Sequence, residues 1–386
     1  MSSIVLRKLR SAKARFDQQL DRWSERAIES RKERSFASWL RNLRSNPPHA
    51  LVGSNFAEYG GVRHHIHAIA KYSSLDVELA PPDDLLQNLS PHEVRTRFRE
   101  QFFNFEPNGI KAVHSHVFPW FIEWCRSRQR RKAKWVHTYH NPYFPEFSRG
   151  ALERWQEEIN HALLNDARHA DLRLSVSRWQ QAYLEQEHGI STSYLPNGVE
   201  VEICDQADAS RFTRATGLRD FILYVGRNDP VKNPVEYVKL AERIPSQQFV
   251  MIGRELSPEA LRNDWDIDVP RNLAVRGEST HAEIQDAIAA CRAAVVTSKR
   301  EGLPTLVLEA MTQGKSVVVP REAGCLEAID NGRFGFIYEP GDLDDLVEKV
   351  DEAMHDPIRC SSSRDRILTE YDWRVIAPRL DALYMS

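Results

Sequence analysis

Two carboxylates, Glu301 and Glu309, flank the segment Gly302-Leu303-Pro304-Thr305-Leu306-Val307-Leu308. Gly302 permits a tight turn, and Pro304 suits the first turn of a helix, where a missing N–H costs nothing. That helix start, at residues 303–306, offers free backbone N–H groups and a partial positive charge to an anion such as a diphosphate. Glu301 stands on the loop ahead of it. Glu309 falls about a turn and a half into the helix, among Leu306, Val307, Leu308, Ala310 and Met311. An unpaired carboxylate is costly in such surroundings. It needs donors, which ribose hydroxyls, a backbone group or a neighbouring cation would each supply.

A second charged string, Gly226-Arg227-Asn228-Asp229-Pro230-Val231-Lys232-Asn233, follows the apolar run 221–225. Two cations at a strand end suit an anion whose charge grows during a reaction. No Gly-x-Gly-x-x-Gly follows a strand and no Walker lysine occurs, which argues against NAD binding and ATP hydrolysis. Asp264-Trp265-Asp266 fits a metal-holding string, but it lies in a polar loop between two strands, far in sequence from Glu301. His64, His65 and His67 have no carboxylate or cysteine beside them at ligand spacing. The expectation is therefore no metal and no cofactor.

The elements that must position these residues alternate. Past Pro47-Pro48 a strand leads through Gly60-Gly61 into an apolar-periodic helix. Strand-like pieces recur at 77–79, 111–113, 135–139 and 193–195, with helices predicted at 150–168 and 178–188. A polar stretch from Cys204 to Arg214 leads to strand 221–226, then helix 233–244, strands 248–252 and 272–276, helix 280–291, strand 293–297, helix 304–313, strands 316–319 and 334–338, and helix 342–355. Alternation of this kind predicts parallel sheets, and 386 residues predict two α/β domains with a cleft between them. The predicted organisation is a basic helical leader at 1–46, a first domain at 47–205, a second at 206–365, and a terminal helical segment at 366–386.

With 41% hydrophobic and 28% charged residues, and no run of about 18 apolar ones, the chain reads as a soluble protein retained in the cytoplasm. Its five cysteines are scattered, so disulfides are not expected. Net charge is −3, yet residues 1–46 carry twelve Lys/Arg against five Asp/Glu. That leader, with the cluster Arg126–Lys134, would suit an anionic membrane surface, although acidic residues every four positions fit a solvated helix as well. A nucleic-acid partner is not expected.

The string Glu301 to Glu309 resembles the Glu-x7-Glu motif of retaining glycosyltransferases of GT-B fold, family 4, and the resemblance covers roughly residues 50–386. It implies two Rossmann-like domains facing across a cleft, with the last helix crossing back to the first. It also implies that Glu301 contacts the transferred sugar, that Glu309 binds the ribose of a nucleotide sugar, and that Arg227 and Lys232 neutralise the leaving diphosphate. Gly226 to Asn233 is similar to the family's Gly-Arg…Lys-Gly loop, with Asn233 in place of the second glycine. Gly60-Gly61 resembles its N-terminal glycine pair, and His140, ending Trp135 to His140, matches its cleft histidine. Carried over in the same way, Gly61, Asn197, Gly226, Gly302, Leu303, Pro304 and Thr305 belong to the donor site, while His114 and His116 lie towards a carbohydrate or lipid-linked acceptor. Ser175-Val176-Ser177 and Leu195 to Val199 are similar to segments that face the cleft.

Overall fold

Short aliphatic runs, buried on both faces as a helix-covered parallel sheet requires, build two sheets of six strands. The computed structural model describes residues 34–54, 60–86, 93, 96, 98–127, 133–356 and 362–386. The first sheet contains β1 (Ala50–Gly53), β2 (Val77–Ala80), β3 (Ala112–Ser115), β4 (Lys134–Tyr139), β5 (Leu172–Ser175) and β6 (Ser193–Tyr194), in the order β2-β1-β3-β4-β5-β6. The second contains β7 (Ile222–Val225), β8 (Phe249–Ile252), β9 (Leu273–Arg276), β10 (Ala293–Val295), β11 (Ser316–Pro320) and β12 (Phe336–Tyr338), in the order β12-β11-β10-β7-β8-β9. Every pairing is parallel. The strand order reverses between β1 and β3 in one sheet and between β7 and β10 in the other. Open α/β sheets bind ligands at the carboxyl ends of such strands.

The last helix, Trp373–Met385, buries Trp373, Ile376, Ala377, Leu380 and Tyr384 against the first sheet, among Ala50, Val52, Ile69 and Val136. Asp381 fixes its far end by accepting from the Ser73 hydroxyl at 2.5 Å and from the Ser74 amide at 2.8 Å.

Three stretches differ from the sequence reading. The polar run after Cys204 is helical, forming Val201–Asp205 and Ala209–Thr216. The second of these is capped by Asp208 and anchored by buried Phe212, a single apolar contact that composition does not reveal. Asp264 and Trp265 end a helix, Pro258–Trp265, started by the Ser257 cap with proline in its first turn. Asp266 is that helix's left-handed C-cap, and Asp264 accepts from Asn228 and faces Arg149. Finally, Ala323–Ala328 is a helix capped by Glu322.

Of the basic leader, residues 1–33 lie outside the described residues, as does most of the Arg126–Lys134 cluster. Residues 34–45 are helical and carry Phe36, Trp39, Leu40 and Leu43 into the first domain's core with Phe98, Phe102 and Trp124. Trp39 stacks on Phe102 with centroids 5.6 Å apart, and its indole N–H donates to Glu78 at 3.0 Å. Phe36→Ala is therefore expected to destabilise the first domain by about 3–5 kcal/mol in urea unfolding; a loss under about 1 kcal/mol would show that this helix merely rests on the surface.

Candidate functional site

The loop after β7 is shaped by packing on three sides. A Cβ at Gly226 would meet the Tyr224 hydroxyl at 2.5 Å, so no side chain fits there. Asn233 has φ 49°, a left-handed conformation that asparagine tolerates. The Thr297 hydroxyl donates to the carbonyls of Lys232 (3.1 Å) and Asn233 (2.8 Å), and the Lys299 amide donates to Val231 O at 2.8 Å. These bonds join the loop after β7 to the loop after β10 as one unit, across the point where strand order reverses. From that unit Lys232 Nζ donates to Glu301 Oε1 at 2.5 Å. Arg227 pairs with Asp229 at 3.1 Å with 43% of its side chain exposed to the cleft, and such half-exposed pairs are weak.

The helix Thr305–Thr312 starts at Pro304 with no side-chain cap, so the backbone donors of its first turn have no side-chain acceptor. Further along it, Glu309 accepts from Gln285 Nε2 at 2.9 Å and faces His281 Nε2 at 3.1 Å. Burial alone would raise its pKa, but His281 and Gln285 outweigh burial and hold it below the ordinary carboxylate value. Burial works to lower the pKa of His281, and Glu309 reverses the sign, so His281 is raised above the ordinary 6.5. The ring of His64, from the first domain, lies against that of His281 with centroids 4.3 Å apart and planes tilted by 38°.

Across the cleft, Gly60 has φ 129°, and a Cβ on Gly61 would lie 3.9 Å from Thr305 Oγ1, so the two helix starts nearly touch. Asn197 bridges the domains: its Oδ1 is 3.0 Å from His65 Nδ1, and its Nδ2 donates to Leu303 O at 3.3 Å. Gly302 O accepts from the Trp179 indole at 2.7 Å. His140 follows β4, lines the cleft, and has its Nε2 3.2 Å from His116 Nδ1. Burial first, and then the surrounding histidines, push both rings well below the usual imidazole pKa.

Of the residues expected in the site, Glu301, Arg227, Lys232, His140, Gly61, Asn197, Gly226, Gly302, Leu303, Pro304, Thr305 and Glu309 line one cleft of about 650 Å³. The two remaining histidines are a correction. His114 is fully buried, bonded to the Tyr384 hydroxyl (2.6 Å) and Thr138 Oγ1 (2.8 Å), because the crossing helix covers it. His116 lies behind His140 and does not reach the cleft wall. Sequence reasoning did not place His281, Gln285 or Trp179 in the site, and considered His64 only as a metal ligand. His281 carries one weak signal: it follows Thr280, which with Glu283 forms a capping box.

Two Rossmann-like domains that enclose a cleft with cations and a bare helix start define the GT-B class. Residues 206–369 match the family described as Glycosyl transferases group 1, and residues 76–203 match Glycosyltransferase Family 4. Among curated relatives, glycogen synthase of Mycobacterium tuberculosis is 27% identical over 179 residues, covering 43% of this chain and 42% of that protein. The sulfoquinovosyl transferase of Arabidopsis thaliana is 28% identical over 170 residues, covering 42% and 32%. These matches thus span less than half the length of either relative. Sucrose-phosphate synthase from Thermosynechococcus elongatus superposes with a TM-score of 0.69 at 18% identity, covering 87% of this chain and 98% of that one. Anabaena HepE, solved with UDP-glucose, gives 0.70 at 17%, covering 88% and 99%. The chain belongs to glycosyltransferase family 4 of the GT-B fold.

The His281–Glu309 pair sets a pH window. A raised histidine contributes stability that is complete below its unfolded value of 6.5 and is lost as pH rises through its folded value; a depressed carboxylate contributes above 4.5 and loses it as pH falls. The pair is thus at full strength between pH 4.5 and 6.5. NMR titration of His281 in chelator-treated protein is expected to give a pKa above 6.5 that drops in Glu309→Gln. A value at or below 6.5 in the parent chain refutes the pairing.

Proposed function

We propose that the chain transfers a sugar from a nucleoside-diphosphate sugar to an acceptor hydroxyl with retention of anomeric configuration, in surface-polysaccharide or glycolipid synthesis. The observation that carries this reading is the Lys232–Glu301 ion pair set beside Arg227 and the uncapped helix start at Pro304. In the reaction, the bond from the anomeric carbon to the diphosphate oxygen breaks while the acceptor oxygen bonds to that carbon from the same face. The acceptor's proton passes to the departing phosphate oxygen. Arg227, Lys232 and the backbone N–H groups of the helix start stabilise the charge that grows on the diphosphate.

Glu301, held by Lys232, accepts from hydroxyls of the transferred sugar, and neutral His140 contacts the same sugar from the first domain. Glu309 takes the ribose hydroxyls, each oxygen keeping a lone pair beside His281 or Gln285. No metal is assigned to the transfer, because these cations already oppose the leaving charge. Relatives divide on the donor base: one from Escherichia coli is named for UDP-Gal and one from Mycolicibacterium smegmatis for GDP-mannose. The acceptor class rests on relatives named for undecaprenol- and phosphatidylinositol-linked acceptors.

Four measurements test the reading. UDP and GDP titrations are expected to give saturable binding, whose absence would favour a silent scaffold. Activity with free phosphate in place of a nucleotide sugar would favour a phosphorylase of the same fold. Arg227→Ala and Lys232→Ala are each expected to cut kcat by about 10²–10³; an inverted product by NMR, or full activity in both Arg227→Ala and Glu301→Ala, overturns the mechanism.

Residues 1–33 and the Arg126–Lys134 cluster are proposed to dock on an anionic membrane, no described helix being long and apolar enough to cross one. Deleting 1–33, which spares the packed helix 34–45, is expected to weaken binding to anionic vesicles; unchanged binding removes that role from the leader.

A further inference from the structure

Adjoining the cleft, and sharing His64, His281 and Glu309 with it, lies a small pocket of about 20 Å³ whose lining also includes Glu200. Its volume is that of a single water or ion. Each wall residue comes from a different part of the fold. His64 belongs to helix Gly61–Tyr72 of the first domain, Glu200 to the linker before helix Val201–Asp205, and His281 opens helix His281–Ala290 of the second domain. One ligand atom from each of these three residues lies within 4.8 Å of the other two. The imidazoles face each other with centroids 4.3 Å apart and planes at 38°, a disposition open to two rings sharing one ion from adjacent positions.

We propose that this cavity binds one divalent transition ion of the zinc class, held by His64, Glu200 and His281, and that the ion staples the two domains to the linker between them. Two imidazoles and a carboxylate are the donor set of three-ligand zinc sites, which leave a further position for water. The competitor for Glu200 is Lys71, whose ammonium lies 2.9 Å from Glu200 Oε1; Lys71 keeps Glu202 as a second partner at 2.5 Å and is not stranded when the ion takes a share of Glu200. The second carboxylate in the wall, Glu309, adds negative charge that favours a cation. Sequence spacing hides the site, since its ligands stand at positions 64, 200 and 281. The ion's role is conformational: opening the cleft would pull His64 from His281 and break the coordination.

The test uses the full-length chain, stripped with a chelator and free of nucleotide and acceptor, so its outcome is independent of whether the chain transfers sugar. ZnCl2 titration by calorimetry is expected to give one ion per chain, and CoCl2 to give visible d–d bands that Zn2+ displaces. His64→Ala and His281→Ala, each checked for folding by circular dichroism, are expected to weaken Zn2+ by more than about tenfold. The neighbouring His67→Ala, whose ring pairs with Asp83 at 3.3 Å, is expected to bind as the parent does. Added Zn2+ should raise the unfolding temperature of the parent and not of His281→Ala. Absence of d–d bands overturns the proposal. So does Zn2+ binding that survives His64→Ala and disappears in His116→Ala, which would move the ion to the buried His65, His116 and His140 group.

Discussion

A parallel sheet has to reverse its strand order somewhere, and the crevice left at the reversal is the constraint on which this molecule is built. In the second sheet the reversal separates β7 from β10, and the loops leaving those two strands carry Arg227, Lys232 and Glu301. Thr297 and Lys299 tie the loops together through backbone carbonyls, so the cations and the carboxylate keep one geometry. A buried or half-buried charge cluster is tolerable only when each charge has a partner. Lys232 and Glu301 partner each other, and Arg227 keeps the weaker, exposed contact with Asp229.

Polar contacts beside the cleft help join the two domains. Glu327 of the second domain accepts from the amides of Arg178 and Trp179, capping a helix of the first. Trp179 then reaches Gly302 O, and Asn197 reaches Leu303 O. These bonds end on the loop that carries Glu301, so the position of the first domain fixes that loop directly. Arg149 lies 4.0 Å over the Trp265 ring and 3.5 Å from Asp264 on the opposite side of the cleft, which gives the string Asp264-Trp265-Asp266 a place in domain contact.

The histidines of the two cleft walls are shifted in opposite directions. His65, His114, His116, His137 and His140 are packed in the first domain, and burial lowers every one of them, so they act as neutral hydrogen-bonding rings. His281, partly buried, goes the other way because the Glu309 carboxylate stands against it. One residue type thus supplies neutral contacts on one wall and charge on the other.

Local sequence was enough for the second sheet's strands, the helix at Thr305–Thr312, and the segment Glu301 to Glu309, because periodicity, a glycine turn and a proline at a helix start act over a few residues. Of the fourteen residues that the motifs and the resemblance singled out, twelve line the cleft. Three features were beyond the reach of local sequence for one physical reason. The burial of His114 beneath Tyr384, the packing of residues 34–45 into the first core, and the meeting of Glu309 with His281 are contacts between segments 28 to 270 positions apart. Their energy depends on which surfaces the fold brings together, and no local pattern records that. The tertiary structure alone decided that His114 and His116 are buried away from the cleft, and which partners hold Glu309.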